Sequence, residues 1–169
     1  MDREFAKKAK DVEISGEIFD RAKQHAEAAY KKIEKVFCPY FGCYVKFNTK
    51  GLDHIKFKDW ERSRKRSDQY MRLKFVPLAP KILVMAHTLQ GIHTEETYVR
   101  KKNYGSWDEV LNRVCFYEFI YVHKEKIRLK IIVRKDGGGE HYFYSIIPFW
   151  KMDKERGKKV LCDGDPLCD

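Results

Sequence analysis

The stretch Ile127-Arg128-Leu129-Lys130-Ile131-Ile132-Val133-Arg134 leads through Lys135 into the loop Asp136-Gly137-Gly138-Gly139. It continues as His141-Tyr142-Phe143-Tyr144-Ser145-Ile146-Ile147. Two runs rich in β-branched and aromatic residues around a glycine loop read as a β-hairpin. Side chains on a strand alternate between its faces. Leu129, Ile131 and Val133 therefore share one face, and Arg128, Lys130, Ile132 and Arg134 the other. On the following strand Tyr142, Tyr144 and Ile146 share a face, with His141, Phe143, Ser145 and Ile147 opposite. A loop that sets Arg134 against His141 also sets Lys130 against Ser145 and Ile132 against Phe143. One face is then almost wholly apolar, a floor for helices. The other gathers Lys130, Arg134, His141 and Ser145 around two apolar spacers. A slip of one residue would mix the faces, so the hydrophobic pattern favours this register.

Upstream, Val114 to Val122 is a further strand, joined to the hairpin by a tight turn at Lys124-Glu125. His93 to Lys101 alternates with Thr and Tyr as an exposed strand, and Tyr104-Gly105-Ser106 forms a loop. These segments make an antiparallel meander of about four strands. The N-terminal half reads differently. Ser15 is a candidate N-cap for a helix to Val36, with Ile18, Ala22, Ala26, Ala29, Ile33 and Val36 at helical spacing. Cys38-Pro39-Tyr40-Phe41-Gly42 breaks it, Cys43 to Phe47 is a short strand, and Asn48-Thr49-Lys50-Gly51 is a turn. A second helical region starts near Ser67 or Asp68 and is kinked or split by Pro77 and Pro80. Helices followed by a meander predict an α+β domain, with the N-terminal helices packed on one face of the antiparallel sheet. The expected organisation is a helical segment over 1–37, an α+β core over 38–152 and a charged tail over 153–169, effectively one domain.

The chain has 169 residues, and its 35 lysines and arginines against 25 acidic residues give a net charge of +10. Such a balance attracts phosphate-rich partners, and by itself it does not separate nucleic acid from an acidic membrane surface or simple solubility. No apolar run approaches the ~18 residues that span a bilayer. No signal-peptide core follows Met1, so a cytoplasmic protein without a membrane partner is expected. The five cysteines, Cys38, Cys43, Cys115, Cys162 and Cys168, are odd in number and scattered, which fits a reduced compartment. Their spacing is looser than the CxxC pairs of zinc sites, and neither metal nor cofactor is expected. Walker, GxGxxG and HExxH motifs are absent. Asp53, Asp59 and Glu61 alone make a weak case for a Mg²⁺ nuclease.

Cleavage of RNA at its own 2′-hydroxyl needs a base, cations for the charge growing on phosphorus, and an acid for the leaving oxygen. Histidine titrates near neutrality and serves as either proton carrier. Lys and Arg supply the electrostatic part without a metal. The hairpin face offers these types in Lys130, Arg134, His141 and Ser145. His54 precedes the basic run Arg62, Arg64, Lys65 and Arg66, which together with Arg128 forms a candidate phosphate-binding edge. His87, His93 and His123 carry weaker signals.

The order of elements resembles the phage-associated branch of the barnase–EndoU–colicin–RelE nuclease superfamily. The resemblance covers roughly residues 43 to 151. It rests on Phe47-Asn48-Thr49-Lys50-Gly51-Leu52-Asp53-His54-Ile55, on Met71 to Phe75 with Leu78 to Leu83, and on Ile131 to Trp150. It implies a barnase- or RelE-like fold and a metal-independent endoribonuclease, often a toxin or a mobile-element protein. By position it implies His54 and His141 as the acid–base pair, Arg134 and Lys130 on the phosphate, and Ser145 as the hydroxyl of the final strand. The expected partner is RNA, whether tRNA, mRNA or the ribosome. Two alternatives use the same residue types: an RNA- or DNA-binding module without catalysis, and the partner of an acidic antitoxin or immunity protein.

Overall fold

The computed structural model describes residues 14–58, 63–124 and 127–149. Arg62, Cys162, Cys168 and the expected tail over 153–169 lie outside the described residues. In chain order the elements are α1 (Gly16–Lys31), β1 (Lys35–Cys38), β2 (Cys43–Lys46), α2 (Thr49–Lys56) and α3 (Arg66–Phe75). A 3-10 turn (Val76–Leu78), α4 (Ala79–Val84), β3 (Gly91–Asn103), β4 (Ser106–His123), β5 (Ile127–Asp136) and β6 (His141–Phe149) follow.

Ser15 caps α1 by accepting from the Ile18 amide at 3.5 Å. The buried face of α1 is Phe19, Ala26 and Tyr30. The expected stripe holds at Ala26 but turns toward Phe19 and Tyr30 at its ends, since Ile18 is 54% exposed. Phe19 and Tyr30 bury more apolar area than Ile18 and Ala29 would, and they decide the rotation of the helix. The helix also stops short of Val36, which belongs to β1. Asn48 to Gly51 is a helix start and not a turn. The Asn48 side chain accepts from the Gly51 amide at 3.1 Å and opens α2. An Asx cap and an Asx turn use the same residues, so the sequence does not separate them. Pro77 and Pro80 split the next helical region as expected, with the 3-10 turn between α3 and α4.

The strand order is β1-β2-β6-β5-β4-β3. Strands β3 to β6 form the expected antiparallel meander. The hairpin of β1 and β2 extends it, joining β6 in parallel through Lys46 and Tyr142. The sheet is therefore six-stranded and mixed. Phe19, Ile55, Leu73 and Leu83 from the helices meet Leu129, Ile131, Val133, Phe143 and Ile146 in the main core. The domain is α+β with the helices on one face. No helix among the described residues is long and apolar enough to cross a membrane.

The helix α2 lies directly against β6. A methyl group on Gly51 would overlap the Phe143 carbonyl oxygen and lie 2.7 Å from the Tyr30 hydroxyl. That hydroxyl donates to the Asn48 carbonyl at 2.7 Å, tying α1 to the start of α2. Gly51→Ala should therefore destabilise the protein by about 2 kcal/mol or more in urea unfolding. In an uncrowded helix the same change stabilises by up to ~1 kcal/mol. A neutral or stabilising result would contradict the close packing of α2 on β6.

Candidate nucleic-acid interface

The last hairpin pairs with a register different from the one its hydrophobic pattern favours. Arg134 faces Tyr142, Lys135 faces His141, Val133 faces Phe143, Ile132 faces Ser145 and Lys130 faces Ile147. The register shifts between Ile132 and Val133, so that β6 has Tyr144 in excess. Such a bulge reverses the alternation of the strand that carries it. On its N-terminal side His141 and Phe143 face the helices, and beyond it Ile146 does.

His141 is therefore absent from the face that carries Lys130 and Arg134. Its ring stacks on Phe41 at 4.1 Å and lies 5.5 Å from Tyr117. Cys43 Sγ is 3.5 Å from its Nδ1. His141 lines a cavity of about 710 Å³ with Cys43, Lys46 and Lys135. Burial, helped by the charge of Lys135, pushes its pKa below the ordinary 6.5.

The opposite face of the sheet is a second, smaller cluster built on Val114, Phe116, Ile132 and Ile147, with Tyr144 packed on it. Register sets His93, Phe116, Arg134 and Tyr142 in one row across four strands. The Arg134 guanidinium lies 5.4 Å from the Phe116 ring and 5.3 Å from the Tyr144 ring. Asp136 accepts from Arg134 Nε at 2.6 Å and from the Tyr142 hydroxyl at 3.2 Å. Burial alone would lower the Arg134 pKa, but Tyr142, Asp136 and Tyr144 together hold it above its ordinary value. Burial raises the Tyr142 pKa, so its hydroxyl keeps its proton. Lys130 Nζ pairs with Glu118 Oε2 at 2.9 Å. His93 stacks on Phe116 at 6.2 Å, and its buried Nε2 has no hydrogen-bond partner among the described residues.

His54 reaches this face from α2. Its ring stacks on Tyr144 at 3.8 Å. Arg64 Nε donates to the His54 carbonyl at 2.9 Å, and Arg64 Nη2 lies 2.9 Å from His54 Nε2. A guanidinium only donates, so Nε2 is the acceptor and Nδ1 carries the proton. Arg64 is buried and also pairs with Asp68 at 3.6 Å. It is a scaffold for His54, and not the solvated phosphate ligand that a basic run suggests. Lys65 and Arg66 are exposed at the start of α3, and the Arg66 guanidinium lies 4.9 Å from the Phe19 ring. Arg128 is half-buried on β5, on the same side as Lys130.

Ser145 is fully buried. It accepts from Arg72 Nη1 at 2.7 Å, and Arg72 Nε donates to Asp68 at 3.0 Å. Its hydroxyl joins α3 to β6 and does not meet solvent. The structure thus sets His54 and Arg134 against the Tyr144 ring, leaves Lys130 further along the same face beside Glu118, places His141 on the other face, and buries Ser145. Three residues that the sequence did not offer as site candidates, Glu118, Tyr142 and Tyr144, complete the face together with His93, whose signal in the sequence was weaker. Pairing β3 with β4 through the two-residue turn would have put His93 opposite Phe116.

Comparison with protein-family models, with curated proteins and with solved structures found no match.

Two measurements check these placements. Ser145→Ala should cost ~1–3 kcal/mol of stability, because it removes the acceptor for a buried guanidinium. An unchanged unfolding midpoint would contradict the buried contact. His141 binds a proton more weakly in the folded chain than in the unfolded one, so its contribution to stability falls as pH drops through 6.5. His141→Gln should lose less stability than wild type between neutral and mildly acidic pH. Identical profiles would contradict the burial of His141.

Proposed function

We propose that the chain is a metal-independent endoribonuclease acting on the sheet face that carries Tyr144. The observation that supports this most is the sharing of one ring: His54 stacks on Tyr144, and the Arg134 guanidinium lies against the same ring. The imidazole and the guanidinium that flank this ring, with Lys130 further along the same face, meet RNA through its phosphates by hydrogen bonding and charge.

The roles follow from the chemistry of each group. Arg134 and Lys130 neutralise charge growing on the phosphorane. Glu118 is the carboxylate beside them, and it takes the 2′-hydroxyl proton when an incoming phosphate draws Lys130 away. His54 borders the phosphate, its ring held in place by Tyr144 and Arg64. His93 is the proton donor to the leaving 5′-oxygen once bound RNA opens the way to its Nε2, which in the free chain is buried and unpartnered among the described residues. Attack of the 2′-oxygen on phosphorus and departure of the 5′-oxygen leave a 2′,3′-cyclic phosphate. His141 takes no part, and Ser145 acts only through Arg72. A role as a toxin or mobile-element protein in the cytoplasm belongs to the same proposal, as does an acidic antitoxin covering this cationic face.

A second reading, RNA binding without cleavage, is favoured by one observation. Arg134 is already paired with Asp136, and His54 Nε2 with Arg64. Purified protein incubated with RNA in EDTA separates the two. The nuclease gives cyclic-phosphate ends, and Glu118→Gln and Arg134→Ala each lower the cleavage rate by ~10²-fold or more while His141→Ala cleaves normally. Salt-sensitive binding without cleavage, in a translation mixture as well as on naked RNA, would establish the second reading instead.

A further inference from the structure

Strand β3 ends the sheet, and its outer edge pairs with no strand among the described residues. Its inner edge pairs with β4 without interruption from Gly91–Glu118 to Asn103–Ser106. β5 reaches only as far as Val114, which faces Asp136. Past that point β3 and β4 pair only with each other among the described residues, as a ribbon. A two-stranded ribbon alone in water is marginally stable. This one leaves Tyr98 69%, Trp107 67% and Leu111 53% exposed. Its outer edge has neither proline nor bulge, and its charges, Glu95, Glu96, Arg100, Lys101 and Lys102, are of both signs and so can pair across an interface.

The turn fixes which backbone groups point outward. Tyr104 and Gly105 both have positive φ, 42° and 97°, as in a type I′ turn. Such a turn makes Asn103–Ser106 a hydrogen-bonded pair. Alternation along β3 then turns the N–H and C=O groups of Thr94, Glu96, Tyr98, Arg100 and Lys102 away from β4.

We propose that a second copy of this chain pairs with this edge, antiparallel, about a two-fold axis at Tyr98. Tyr98 then faces the partner's Tyr98, with Leu111 of each copy alongside on the same face. Glu96 faces the partner's Arg100, and Glu95 on the opposite face meets the partner's Lys101. Like charges meet nowhere along β3. Other axes fail this test. An axis at Glu96 or at Arg100 sets that residue against its own copy. One at Thr97 matches no acid with a base, and one at Val99 matches only Glu96 with Lys102. Within each hairpin Arg100 already lies 3.7 Å from Glu109, and Arg113 4.0 Å from Glu96. The dimer joins these pairs into a ladder of alternating charge: Glu109, Arg100, the partner's Glu96 and the partner's Arg113. The interface is isologous, so it closes at two copies. This inference is independent of the nuclease reading, since it uses neither His54 nor Tyr144.

Sedimentation equilibrium of the full chain tests it with wild type, Glu96→Arg, Arg100→Glu and an equimolar mixture of the two variants. Wild type should dimerise. Each variant alone should dimerise at least about tenfold more weakly, because like charges meet twice across the axis. The mixture should recover to within a few-fold of wild type, because each new arginine faces the other chain's new glutamate. A misfolded variant would not recover in this way. A monomeric wild type, single variants as tightly paired as wild type, or a mixture no tighter than its components would each overturn the proposal.

Discussion

The extra residue in β6 is the constraint on which the candidate site depends. Tyr144 has no counterpart on β5, and the strand reverses its alternation around it. Without the bulge, Phe143 and Ile146 would face opposite sides of the sheet, and the main core would lose one of them. With it, both enter the core, and Tyr144 is left to pack on Phe116 on the other side. A bulge costs regular pairing at one point, which the sheet recovers through burial on both faces.

What α2 and α3 do follows from this geometry. The parallel bridge between β2 and β6 is confined to Lys46 and Tyr142, and α2 then runs beside β6 with Gly51 against Phe143. That position carries His54 around the strand to Tyr144. Arg64 and Arg72, both buried, share Asp68 and hold His54 on one side and Ser145 on the other. A buried charge cluster of this kind adds little net stability, because desolvation offsets the attraction. Its value here is placement: three side chains from α2, α3 and β6 keep one geometry. The remaining cations, Lys130 and Arg134, come from β5, already aligned by the sheet.

Much of the fold was legible in the sequence because it is written in local chemistry. The β-branched runs from Val114 onward, the turn at Lys124 and the glycine loop mark the meander, and Pro77 and Pro80 mark the break between α3 and α4. Lys130 and Arg134 were placed on a shared face by alternation alone. The failures have physical causes. No residue type signals a bulge at Tyr144, since the bulge answers the combined demand of Phe143 and Ile146 for one core. His141 looked like a catalytic group because its burial depends on Phe41, about a hundred positions away. Ser145 looked accessible because a strand face is polar more often for solvent than for a buried arginine. The helix start at Asn48 was hidden because a cap and a turn share their chemistry.

On the proposed function, RNA meets the Tyr144 face and not the side of the sheet where His141 packs on Phe41. The most direct measurement is an RNA titration followed by NMR of the tyrosine and histidine side chains. Signals of Tyr144, Tyr142, His54 and His93 should shift in a salt-dependent way, while those of His141 and Tyr117 stay in place. Shifts confined to His141 and its neighbours, with the Tyr144 face unmoved, would contradict it.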